Sequence, residues 1–279
     1  MKKLLLLLMM VAGATAGSVH ANGSPYSPGL AYGWPGVSDA DGVHYVTVGP
    51  SKWTIVAAVR GRDGRVLRAT TVRGFYAVPL VAYSGVTGGL SGDGRSLVLS
   101  SYGPLPGNSG KTRFIVLSTK TLAPRRQIVL DGSWSLDAVS PDAADLFLTE
   151  HLRAGDDPLY RIRTLDTRTG RLGGPIVDRL EGEEEMGGVP VARVSSPGGR
   201  WAYTLYARRG DHPFVHALDT AKREAFCIDL PLRLGFNRQS SLRLELGTPR
   251  ALSVQLYGGR KLATIDTGTW KVQKAGARR

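Results

Sequence analysis

The chain has 279 residues, 36 Lys and Arg against 23 Asp and Glu for a formal charge of +13, and one cysteine, Cys227. A lone cysteine excludes a scaffold of intrachain disulfides, and no stretch is rich enough in Pro or Ser to separate two domains, so one domain with a sizeable core is expected. The charge favours anionic partners, but it is carried by 27 scattered Arg against 9 Lys with no dense basic run, which argues against specific nucleic-acid binding.

Residues 1–21 read as a secretory signal peptide. Lys2 and Lys3 form a positive start, 4–11 a short apolar stretch, and Val19-His20-Ala21 a cleavage site, so the mature chain is expected to begin at Asn22 with a charge of +11. A retained anchor is the competing reading, but the apolar stretch is well short of the roughly 20 residues that cross a bilayer. The protein is therefore expected to be secreted, to the exterior or the cell envelope, without a transmembrane anchor.

From there a unit of about 50 residues recurs, each with two turn signatures about 25 residues apart. The first is Ser38-Asp39-Ala40-Asp41-Gly42, then Ser91-Gly92-Asp93-Gly94, Ser140-Pro141-Asp142-Ala143, Ser196-Pro197-Gly198-Gly199 and Gly247-Thr248-Pro249. The second is Arg62-Asp63-Gly64, Ser118-Thr119-Lys120-Thr121, Asp166-Thr167-Arg168-Thr169-Gly170, Asp219-Thr220-Ala221-Lys222 and Asp266-Thr267-Gly268-Thr269. Between them lie short runs of Val, Leu, Ile, Tyr and Thr, which is strand chemistry bounded by turn chemistry. In the second unit 97–99 and 114–117 are strands b and c. The third has strands over 136–139, 145–150, 160–165 and 174–179, and the fourth over 189–194, 201–207, 214–218 and 224–230. The last, 241–275, runs through Trp270-Lys271-Val272; the first, 30–74, is the most divergent.

A four-stranded sheet cannot bury both faces alone, so such units pack face to face around an axis. The expected fold is an all-β propeller, a ring of five four-stranded blades occupying residues 22–279. A linear β-solenoid is the alternative, though its coils are shorter than these units.

The order of apolar strand, Ser-Pro-Asp turn and Asp-Thr-x-Thr-Gly turn, as in Ala138-Val139-Ser140-Pro141-Asp142 and Thr164 to Gly170, resembles bacterial YVTN-type and TolB-like propellers of the WD-repeat-like superfamily. Tyr45-Val46-Thr47-Val48 echoes the YVT string, while the Trp-Asp dipeptide of true WD repeats is missing. The resemblance implies a propeller in an envelope or extracellular setting, in a group that includes both binding proteins and enzymes.

The two turn signatures define one face of the propeller. The longer, dissimilar b-c and d-a connections, 102–111, 151–159, 180–188, 208–213 and 231–240, define the other, which is the expected functional face. Arg153, Arg208, Arg209, Asp211, His212, Arg233 and Arg238 fall there and are the candidate binding residues. The acidic run 181–185 reads as a solvated loop rather than a Ca²⁺ site, because consecutive glutamates do not point at one centre. Glu150-His151 with His212 form a weak acid-base or metal candidate, and His216 and Cys227 read as packed strand residues.

No Gly-x-Ser-x-Gly elbow or His-Glu-x-x-His is present. The expected function is a non-enzymatic, monomeric binding platform for a protein or an anionic envelope polymer, with no cofactor and no metal. The alternative is a hydrolase or lyase with a metal-assisted site in the central channel.

Overall fold

The computed structural model describes residues 36–49, 52–156, 158–248 and 250–276. The signal-peptide reading of 1–21 lies outside them. Five antiparallel sheets follow one another along the chain, each with its strands side by side in sequence order. The first holds β1 (Val37–Ser38), β2 (Val43–Val48), β3 (Trp53–Arg60) and β4 (Val66–Arg73), and the second β5 (Ser96–Ser100), β6 (Lys111–Ser118) and β7 (Pro124–Asp131). The third has β8 (Trp134–Val139), β9 (Asp145–Arg153), β10 (Leu159–Asp166) and β11 (Leu172–Pro175), with β12 (Met186–Gly187) also paired to β10. The fourth has β13 (Val189–Ser195), β14 (Trp201–Ala207), β15 (Phe214–Asp219) and β16 (Glu224–Asp229). The fifth has β17 (Leu242–Thr248), β18 (Ala251–Leu256), β19 (Lys261–Asp266) and β20 (Val272–Lys274). These are the five blades of a β-propeller.

The innermost strand of the second blade is broken. Residues 75–91 meet β5 only through isolated bridges, Ala77 to Ser100 and Leu90 to Leu97, and between them fold back as a hairpin joined by Leu80 and Thr87. At its tip the Gly85 N–H donates to Ala82 O at 3.0 Å, with Gly85 at φ +90°. Only glycine takes up such a turn without steric cost. The outer strand of the third blade also departs from the expected 174–179. It ends at Pro175, where a proline stops donating to the ladder, and Asp178 instead bridges in parallel to Ala225 of the fourth blade.

The turn signatures act as expected. Ser140 Oγ donates to Asp142 Oδ1 at 2.9 Å and accepts the Asp145 N–H at 2.9 Å, while Asp142 also accepts the Ala144 N–H at 3.0 Å. Ser91 and Asp93 repeat this arrangement. The threonine of the second signature ties the two turns of a blade together: Thr119 Oγ1 to Gly94 O at 2.7 Å, Thr167 to Ala143 O at 2.7 Å and Thr220 to Gly199 O at 3.0 Å. The second turn ends in the left-handed region, which Gly64 and Gly170 occupy in two blades and Leu122, Arg223 and Trp270 in three. That conformation costs an L-residue roughly 1–2 kcal/mol. Each of the three has a compensating contact: Leu122 is fully buried, Arg223 binds Asp145 of the third blade at 2.8 Å, and Trp270 stacks on Phe226 at 4.8 Å.

The core is a series of layers between blades. Val56 and Tyr45 pack with Leu97 and Leu117, Val98 and Phe114 with Leu146 and Leu148, Phe147 and Ile162 with Leu218, and Val215 and Leu205 with Leu252 and Val254. Each fully buried leucine of these layers contributes roughly 1.5–3 kcal/mol. The layers join each blade to the next; among the described residues no such layer joins the fifth to the first. The second blade instead reaches across the axis to the fourth. Its hairpin tip donates from Tyr83 N to Pro190 O at 2.9 Å and from Ser84 N to Val191 O at 3.1 Å, and a Cβ on Gly92 would fall on the Gly198 carbonyl.

Candidate functional site

Strands β8 and β13 begin, and β9 and β14 end, on the side of the b-c and d-a connections. There, on the axis, the hairpin 80–83 roofs a cavity of about 40 Å³ between the third and fourth blades. That is room for two or three water-sized molecules. Its polar walls are Ser135 and Asp137 on β8, Thr149 and His151 on β9, Tyr160 on β10 and Tyr206 on β14.

Asp137 is buried against Arg193 of β13. Arg193 Nη1 donates to Asp137 Oδ1 at 2.7 Å and to Thr204 Oγ1 at 2.8 Å, and Nη2 donates to Asp137 O at 2.8 Å. Asp137 Oδ2 has no protein partner among the described residues. Ser135 Oγ and His151 Nε2 share a hydrogen bond of 2.9 Å. Burial pushes His151 down to about 4, so its imidazole is neutral at pH 7. Burial likewise raises the Tyr160 and Tyr206 phenols, which face one another with ring centroids 5.6 Å apart.

A serine beside a neutral imidazole is half of a hydrolytic apparatus; the other half is a group that orients and charges the imidazole. Among the described residues no carboxylate backs His151, and no three His, Cys, Asp or Glu side chains converge as metal ligands would. The weak acid-base candidate is not brought together either. Glu150 is taken by Arg161 at 2.6 Å and Arg163 at 3.4 Å, His151 by Ser135, and His212 contacts Asp211 at 3.5 Å. His216 is a buried strand residue, as expected.

Around the cavity the loops form one surface. The 231–240 connection contains one helical turn, α1 (Phe236–Gln239), whose Gln239 side chain points inward and is 1% exposed. Its Oε1 accepts the Arg208 N–H at 2.8 Å, and its Nε2 donates to Asp211 O at 2.8 Å and Leu234 O at 2.9 Å. One amide thereby fastens the b-c loop of the fourth blade to the connection entering the fifth. A groove of about 330 Å³ runs beside it, with Tyr83, Asp156, Arg209, Phe236 and Arg243 among its walls.

Six of the seven candidate residues lie on these connections, in different states, and Arg153 closes strand β9 beside them. Arg208 is an internal tie, not a free cation: it pairs with Asp229 and with Asp211 at 3.4 Å, donates to His212 O at 2.8 Å and lies 4.8 Å over the Phe214 ring. Asp211 and His212 belong to that tie. The Asp211 carboxyl is held low first by the His212 N–H, against an opposing push from burial, and then by Arg208. Arg209 lies 4.6 Å over the Phe236 ring and 3.5 Å from Asp156. Arg233 and Arg238 are exposed and their side chains have no hydrogen-bond or ion-pair partner among the described residues. Arg153 is exposed at the end of β9. On the opposite face Asp142, Asp166 and Asp219 stay in their turns, each held low chiefly or in part by backbone N–H donors.

A channel site is the alternative reading, but the residues that line the axial cavity were not anticipated from the sequence. Its signal is a charged residue inside an apolar innermost strand in two adjacent blades, Leu136-Asp137-Ala138 and Ala192-Arg193-Val194. Opposite charges at matching depth on neighbouring inner strands can meet only across the blade interface.

No family model and no curated protein matches the sequence. Among solved structures the chain is similar to Kuenenia stuttgartiensis hydrazine synthase, at 12% identity over 91% of this chain and 80% of that one with a TM-score of 0.44. It is also similar to TolB from Acinetobacter baumannii, at 15% identity over 83% and 56% with a TM-score of 0.36. A third is the Pyrococcus horikoshii acylaminoacyl peptidase, at 11% identity over 88% and 38% with a TM-score of 0.47. The propeller assignment rests on the chain's own five sheets.

Among the described residues no helix is long and apolar enough to cross a membrane.

Proposed function

We propose that this chain is an exported, non-enzymatic propeller of the YVTN or TolB-like kind whose b-c and d-a loop face binds an anionic surface, either an acidic protein or an envelope polymer. The observation that carries the reading is the Gln239 anchor, which makes two loops into one fixed platform while leaving Arg233 and Arg238 exposed beside it and unpaired among the described residues. Preorganised loops lose less entropy on binding than mobile ones, and unpaired guanidinium groups offer planar, bidentate donors to carboxylate or phosphate. Arg209 and Arg243, each over an aromatic ring, extend the basic surface along the groove. In the axial cavity the carboxylate is paired with Arg193, and among the described residues no carboxylate orients its histidine.

The test of export is the intact mass of material recovered from the medium or envelope, expected to start at Asn22; a mass that retains 1–21 contradicts it. Binding is tested by titrating the mature protein onto an immobilised polyanion and comparing loop-face with turn-face arginine variants, as set out at the end of the Discussion.

A further inference from the structure

We propose that Cys227, His216 and Met186 form a binding site for one monovalent soft cation, Cu(I), at the seam between the third and fourth blades.

The three side chains come from three strands. His216 on β15 and Cys227 on β16 are directly opposed cross-strand partners, so both emerge on the same face of the fourth blade. Met186 on β12 arrives from the third blade, where it pairs with Tyr160, and packs against that face. Cys227 Sγ lies 3.6 Å from His216 Nδ1 and 3.6 Å from Met186 Sδ. With metal–sulfur bonds near 2.3 Å and metal–nitrogen bonds near 2.0 Å, donor atoms around a three-coordinate ion sit roughly 3.7–4.0 Å apart. The two observed spacings, both measured from Cys227 Sγ, reach that range with shifts of a few tenths of an ångström.

Ligand chemistry and charge select the ion. Thiolate, thioether and imidazole together are a soft donor set, which suits Cu(I) and not Mg²⁺, Ca²⁺ or Mn²⁺. On binding, the Cys227 S–H bond breaks, its proton leaves to solvent and a Cu–S bond forms, with no change in oxidation state. Thiolate plus Cu(I) is neutral, so the filled site adds no net charge beside Asp178, whose Oδ1 accepts the Cys227 N–H at 2.8 Å. His216 is 2% exposed and its Nδ1 faces Cys227 Sγ at 3.6 Å; coordination through Nδ1 places the ring proton on Nε2, which has no partner among the described residues. Cys227 and Met186 are partly exposed, which gives an ion a way in.

The experiment uses the reduced mature protein under anaerobic conditions, with Cu(I) supplied in competition with bicinchoninate. One equivalent of Cu(I) withdrawn from the chelator, with an ultraviolet thiolate-to-copper absorption, is the expected result. Cys227→Ser abolishes uptake. Met186→Leu preserves volume, so the fold survives, and it weakens uptake by roughly 10-fold or more, on the scale of losing a supporting ligand. Absence of uptake, binding by Met186→Leu equal to that of the parent, or equal competition by Zn²⁺ would each overturn the proposal.

Discussion

Arg193 of the fourth blade reaches Asp137 of the third at 2.7 Å, and each side chain is only 4% exposed. The pair joins two innermost strands at the axis and leaves one carboxylate oxygen of Asp137 without a partner among the described residues beside the cavity. Removing one member strands a buried charge, which costs far more than removing both.

Arg193→Ala is therefore expected to lower stability by roughly 3–5 kcal/mol, while Asp137→Leu with Arg193→Met recovers most of that loss. Urea denaturation midpoints of the parent, single and double variants give the comparison. A single variant as stable as the parent would show that the axis does not depend on this pair.

His151 sets a pH dependence. Its pKa in the fold is about 4, below the ordinary value of 6.5. The unfolded chain therefore takes up a proton first as pH falls, so the His151 contribution is intact above about 6.5, declines between 6.5 and 4, and levels off below. The full loss is at most about 3 kcal/mol. His151→Gln is expected to flatten the stability profile between pH 7 and 4; an unchanged slope contradicts the assignment.

Gln239→Ala removes three hydrogen bonds at a fully enclosed position and leaves the Arg208 N–H without its acceptor. A loss of roughly 1–3 kcal/mol is expected. Hydrogen exchange at Arg208 should accelerate locally while the β14 and β15 core amides remain protected. Exchange unchanged at Arg208 would mean the two loops are held together by something else.

The fold was legible because its signals are local and repeated. Ser140 with Asp142, and Asp166 with Thr169, close their turns with hydrogen bonds two or three residues apart, so spacing alone reveals them. The broken inner strand of the second blade was not legible, because its bridges at Ala77 and Leu90 and the reach of Tyr83 to Pro190 depend on where the fourth blade lies. At the site, loop membership located Arg208, Arg209, Asp211, His212, Arg233 and Arg238 on the expected connections, while Arg153 closes strand β9. It could not distinguish Arg208, consumed by Asp229 and Asp211, from Arg233 and Arg238, because pairing is decided by neighbours distant in sequence. The contact of Cys227 with Met186 is similar: 41 positions separate them, and only the seam between blades joins them.

The most direct test of the binding reading compares two variants of equal net charge on an immobilised polyanion across a salt series. Arg233→Ala with Arg238→Ala removes two charges from the loop face, and Arg168→Ala with Lys222→Ala removes two exposed charges from the turn face. The parent is expected to bind and to lose at least tenfold in affinity between low and physiological salt, as surface attraction is screened over about 8–10 Å. The loop-face variant should bind about tenfold more weakly than the parent, and the turn-face variant should match it. Equal losses in both variants, or binding indifferent to salt, would contradict a loop-face site and reduce the basic excess to a property of the whole surface.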